Sequence, residues 1–100
     1  MIERLDVSRY RALEGTELTL APLSESDAWS ISLVLESVRD LGVRDGLSCY
    51  SLLFAQREGE SYAPQGTYRL TCSELGEQVV LVVPLGPGPG ARMRYEVIFN

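Results

Sequence analysis

The sequence predicts an all-β fold: six antiparallel strands in a meander that closes as a small barrel, or packs as a two-sheet sandwich, with one short helix at the N-terminus. Three observations carry this prediction. From Thr16 onward the apolar residues recur with a period of two rather than 3.6. Every alternating run is bounded by turn-forming residues, at a spacing of about 12 residues. After the N-terminal helix there is no further helical pattern to serve as a crossover between parallel strands, so chain neighbours are expected to pair antiparallel. Closure is preferred over an open sheet because it removes exposed strand edges. The 100 residues form one domain, 1–100, with no division into two cores. A chain of this size buries roughly two-thirds of its unfolded surface, enough for folding without staples.

The helix is expected over Val7 to Gly15. Ser8 is placed to cap its N-terminus, Tyr10 and Leu13 fall three apart on one face, and Gly15 ends it. Two turns are marginal alone, so packing through Leu5, Tyr10 and Leu13 must hold them. The first strand, Thr16 to Ala21, sets Leu18 and Leu20 on one face. The second alternates Trp29, Ile31, Leu33 and Leu35 against Ser30, Ser32, Val34 and Glu36, and Gly42 to Gly46 turns the chain. The third, Leu47 to Gln56, points Tyr50, Leu52 and Phe54 inward and Cys49, Ser51 and Leu53 outward.

The polar stretch Arg57 to Gln65 is the longest connection. Gly66 opens the fourth strand, with Tyr68, Leu70 and Cys72 inward, and Leu75-Gly76 makes a tight turn. The fifth strand, Glu77 to Leu85, is apolar on both faces from Val79 to Val83. A Gly-Pro loop at Gly86 to Gly90 leads to the last strand, Met93 to Asn100, with Tyr95, Val97 and Phe99 inward.

Composition removes whole classes of chemistry. All nine basic residues are Arg; there is no Lys and no His. Without His there is no imidazole base, no Ser-His or Cys-His nucleophile pair and no His-containing zinc site. Without Lys there is no Schiff base and no Walker lysine. Glu58 with Glu60 and Glu74 with Glu77 are close in sequence, but they lie in or beside connections where solvated acids are ordinary. The Gly-Pro loop lacks the following helix that an anion site would use. No catalytic residue, metal or cofactor is expected, and the chain is read as a non-enzyme.

Cys49 and Cys72 lie on strands expected to be neighbours, yet the pleat points them to opposite faces, so two free thiols are expected. A net charge of −5 and scattered Arg residues argue against a nucleic-acid partner. The longest apolar run, Val79 to Val83, is too short for a helical membrane span, and a cytoplasmic location is the expectation.

Register leaves an apolar residue problem on the outside. With Tyr95, Val97 and Phe99 inward, Ile98 points out, and so does one of two sets on the fifth strand: Val80 with Val82, or Val79 with Leu81 and Val83. Val34, Val80, Val82 and Ile98 are taken as the partner surface, unless the N-terminal helix covers it. Trp29, opening a strand, and Tyr62, in the long connection, are the aromatics available to face a ligand at the mouth of a barrel.

Several phrases carry a resemblance: Tyr50-Ser51-Leu52-Leu53-Phe54, Pro64-Gln65-Gly66-Thr67-Tyr68-Arg69-Leu70, Val83-Pro84-Leu85-Gly86-Pro87 and Arg94-Tyr95-Glu96-Val97-Ile98-Phe99-Asn100. Together they resemble the bacterial domain-of-unknown-function family 6916 over nearly the whole chain. Cys72 departs from the polar residue expected there. The resemblance implies no catalytic residue; it implies an accessory role beside tail-fibre-like proteins, near phage-tail-collar-like genes. The expected function is a small non-enzymatic β domain that binds another protein as an accessory or assembly factor, with homodimerisation open. The alternative is a barrel binding a small ligand.

Overall fold

The computed structural model describes residues 6–24, 29–56, 63–88 and 92–99. A five-residue helix, α1 (Val7–Arg11), precedes six strands: β1 (Glu17–Pro22), β2 (Ile31–Arg44), β3 (Leu47–Gln56), β4 (Gly66–Cys72), β5 (Gly76–Pro87) and β6 (Met93–Phe99). All pairings are antiparallel and belong to one sheet, whose order β1-β2-β3-β6-β5-β4 returns to β1 through Thr19 opposite Thr71 and Leu20 opposite Leu70. The hydrogen bonds thus run in a closed ring.

The ring is not a simple meander. β1 to β3 form one run of hairpins and β4 to β6 another, and the two are joined side by side as β3 with β6 and β1 with β4. β3 and β4, consecutive in the chain, sit on opposite sides of the ring. Their connection, 57–65, is the longest between strands, and nine residues reach up to about 30 Å when extended, which frees β4 from pairing with its predecessor. Short connections at 45–46, 73–75 and 88–92 leave no such freedom, and there the hairpins form as the pattern predicts.

The alternation read from the sequence becomes the core. Leu18 and Leu20, Leu33 and Leu35, Tyr50, Leu52 and Phe54, Leu70, and Tyr95 and Val97 all point into the ring and are buried. On β5 the ambiguity is resolved by pairing: Tyr68 lies opposite Val80, Leu70 opposite Gln78, and Val97 opposite Val82. Cross-strand neighbours share a face, so Val80 and Val82 follow Tyr68, Leu70 and Val97 inward, and Val79 and Leu81 are left outside.

Each end of the ring is covered. α1 is shorter than the predicted Val7 to Gly15; the chain continues through a turn, and the Gly15 N–H donates to the Leu35 carbonyl at 2.7 Å, starting the β1 pairing. The helix lies over the end formed by the start of β3 and the end of β6, where Tyr10 packs on Tyr50 and Phe99 with ring centroids 5.6 and 5.9 Å away. Glu14 accepts the Val38 N–H at 2.9 Å, past the point where β1 stops pairing with β2. Arg9 donates to the Glu74 carbonyl in the β4–β5 turn. At the other end the crossing connection is pinned by buried Ala63, whose N–H donates to the Tyr95 hydroxyl, and by Pro64, whose carbonyl accepts from Tyr68.

Asp6, not Ser8, occupies the N-cap position of α1, and its carboxylate accepts from the Ser8 hydroxyl at 2.9 Å and the Ser48 hydroxyl at 3.0 Å. These bonds, Ser8 first, hold its pKa below the ordinary carboxylate range. A pKa lowered by folding stabilises the native state above the ordinary value and ceases to do so as pH falls through the lowered one. Amide exchange in α1 is therefore expected to accelerate below about pH 4 while exchange in the ring strands stays protected, and Asp6→Ala should abolish that pH step. An unchanged step in the variant would remove Asp6 from the explanation.

Candidate interaction surface

The outer face of β5 and β6 carries an apolar strip. Val79, Leu81 and Ile98 are 43%, 54% and 46% exposed. Val82 pairs with Val97, and the same register carried one residue further sets Leu81 beside Ile98. Thr67 on β4 lies opposite Leu81, and Ser51 on β3 lies opposite Ile98, so the apolar centre is flanked by polar residues in the hydrogen-bonding direction. Along the strands it is bounded by Glu96 and by the Arg69–Glu77 pair at 3.9 Å. α1 contacts β2 and β3, so its Tyr10/Leu13 face covers an end of the ring and not this strip.

The four residues taken from the sequence as the partner surface are divided by the structure. Ile98 is on the strip. Val80 and Val82 are 3% and 1% exposed, inside the ring, because they share the face of Tyr68, Leu70 and Val97; the outward set on β5 is Val79 and Leu81. Val34 is half-buried on β2 and lies opposite Ala55, which in turn lies opposite Arg94. Arg94 and Ile98 are four residues apart on β6, about 13 Å, so Val34 does not join the strip. The Arg94 Nε to Glu36 ion pair, 2.7 Å, links β6 and β2 across β3 near Ala55. Ala55 is buried although it has outward parity.

Trp29 precedes β2 rather than opening it, and its exposed indole meets Tyr68 edge-on, ring centroids 5.5 Å apart. Tyr62 lies outside the described residues, as do Glu58 and Glu60. The interior that a small ligand would occupy holds the fully buried side chains of Tyr10, Tyr50, Phe54 and Tyr95 with their leucine neighbours.

Among the described residues the groups able to do chemistry do not converge. Glu77 pairs with Arg69, while Glu74 accepts from Ser73 at 3.0 Å and is held below the usual carboxylate range by its own backbone N–H, then by Ser73 and Cys72. Cys49 and Cys72 are free thiols, and the reason is stronger than the pleat: β3 and β4 are not neighbours. Among the described residues no cluster of three His, Cys, Asp or Glu has the spacing of a metal site.

A second exposed apolar group was hidden from the sequence reading. β2 continues through Gly42 to Arg44, and the turn contracts to Asp45-Gly46, both with positive φ, the two-residue hairpin turn that an Asp-Gly dipeptide favours. Val43 thereby becomes an exposed strand residue rather than loop, flanked by exposed Leu41 and Leu47. The Asp-Gly pair with alternating residues on both sides was the available signal.

The comparisons with curated proteins and with solved structures find no match. A family model does match, over residues 5–99, which takes in α1 and all six strands whose pairing has just been described. The chain belongs to the family of domains of unknown function DUF6916.

Proposed function

We propose that this chain is a small closed β-barrel without enzymatic activity that binds another protein through the outer face of β5 and β6, as an accessory or assembly factor. The observation that carries the reading is the strip Val79, Leu81 and Ile98, left in water by both covers of the ring. Full burial of an aliphatic side chain is worth about 1.5–3 kcal/mol, so three side chains each left roughly half in water forgo several kcal/mol that a partner would recover. An apolar centre bounded by Thr67, Ser51, Glu96 and the Arg69–Glu77 pair is also how protein interfaces are built. The resemblance to proteins encoded beside tail-fibre-like genes favours a partner of that kind. The alternative reading, a small ligand in the barrel, has less support, since aromatic and leucine side chains occupy the interior.

The experiment is affinity capture from the native bacterium with the wild-type chain and with Leu81→Asp/Ile98→Asp, read by mass spectrometry. A partner retained by the wild type and lost with the variant, whose thermal melt stays near that of the wild type, is the expected result. Equal recovery by both would rule out the strip as the binding face.

A further inference from the structure

The ring and the helix are held by different means. Every strand of the ring is hydrogen-bonded to a neighbour on each side, and a closed order has no edge strand from which it can open. α1 joins no ladder. It has five residues, too few to hold a helix alone, and no side-chain hydrogen bond caps its N-terminus. Its polar ties to the ring are the Asp6 carboxylate on the Ser48 hydroxyl, the Arg9 guanidinium on the Glu74 carbonyl at 3.3 Å, and the Glu14 carboxylate on the Val38 N–H. The first two lie at the surface, where water takes the place of either partner.

What keeps α1 down is the burial of Tyr10 and Leu13. At Tyr10 that burial is opposed, because its hydroxyl gives up water and finds no partner among the described residues. Lifting the helix restores water to it. The junction is also built to turn: Gly15 has φ +86° and open space where a Cβ would stand, and the ring pairing starts just beyond it, with the Leu35 N–H donating to the Thr16 carbonyl at 3.0 Å. Two amides on the ring side of that junction are nevertheless held by groups on the helix side. The Thr16 N–H donates to the Leu13 carbonyl at 2.9 Å, and the Val38 N–H to Glu14.

We propose that residues 6–14 are a lid that opens as one unit about Gly15 while the ring stays folded. The open state uncovers the rings of Tyr50 and Phe99, centroids 4.7 Å apart, at the end of the ring that Tyr10 otherwise covers. An aromatic surface is thus present in the molecule but withheld until the lid lifts. It lies at one end of the ring and not on the outer β5–β6 strip, so the proposal does not depend on that strip having a partner.

Amide exchange of the intact chain, followed in increasing urea below the unfolding transition, tests this. The amides of Ala12, Leu13, Thr16 and Val38 should share one degree of protection, on the order of 100-fold below that of the Leu35 amide, and respond little to urea because the opening exposes little surface. Leu35, three residues from Val38 on the same strand, should follow global unfolding with its steep urea dependence. Tyr10→Phe should slow all four lid amides together by about 5–30-fold, since the open state then regains no hydration at that hydroxyl. Four amides that follow Leu35 in urea would mean that the helix leaves only when the ring unfolds, and would overturn the proposal. Thr16 and Val38 exchanging with Leu35 while Ala12 and Leu13 exchange fast would overturn it too, because that is fraying of a helix end and not the opening of a unit. So would a Tyr10→Phe variant in which the four rates are unchanged.

Discussion

Tyr95→Phe is expected to destabilise the fold by about 2–4 kcal/mol, because one hydroxyl serves two buried partners. It donates to the Gln56 side-chain oxygen and accepts the Ala63 N–H at 2.9 Å, and all three residues are almost fully withdrawn from water. Removing it takes a donor from Gln56 and an acceptor from the Ala63 amide, each in a place where solvent does not replace it. The loss is also topological. Gln56 ends β3, Tyr95 lies on β6, and Ala63 belongs to the connection that carries the chain across the ring, so the hydroxyl ties the crossing to both strands. Chemical denaturation should show the change, and at roughly 4–8 °C per kcal/mol for a domain of this size so should the melt. A variant within 0.5 kcal/mol of the wild type, about the scatter of surface substitutions, would mean that water takes the hydroxyl's place.

Tyr10→Phe, the same chemical change at the opposite end, is expected to stabilise the protein by about 1–2 kcal/mol. The Tyr10 hydroxyl is buried and has no hydrogen-bond partner among the described residues. Burial, and then Tyr50 and Cys72 nearby, push its ionisation above the ordinary phenol range, so it remains neutral and still lacks a partner. Phe keeps the ring contacts with Tyr50 and Phe99 and removes a polar group that gave up water on folding. The two substitutions should thus shift stability in opposite directions. A stability loss at Tyr10 would show that its hydroxyl is satisfied after all and would count against the assignment.

The outer strip and the β2–β3 hairpin were legible in the sequence to different degrees. Ile98 could be placed outside because Tyr95 and Val97 fix the parity of β6. Val79 and Leu81 could not be chosen over Val80 and Val82, because a strand that is apolar on both faces has no parity of its own; only Tyr68, Leu70 and Val97 across the pairings decide. Val34 was misassigned to the strip for a related reason: parity names a face of the sheet and not a position along it. Val43 was lost in an overlong turn, since Gly42 reads as punctuation when it in fact lies inside β2, next to the bulge where the register shifts between Asp40 and Gly42.

By itself the sequence determined the strand content, the inward residues of five strands, the hairpins at short connections and the absence of an imidazole or lysine chemistry. These depend on spacing between near neighbours and on residue types, and both can be read along the chain. Tertiary structure alone decided that β3 joins β6 and β4 joins β1, which end of the ring α1 covers, and which apolar residues remain in water. The nine-residue connection 57–65 permits either arrangement of its flanking strands. The choice rests on burying both three-stranded runs against each other, a free energy that belongs to the assembled ring and to no segment of it.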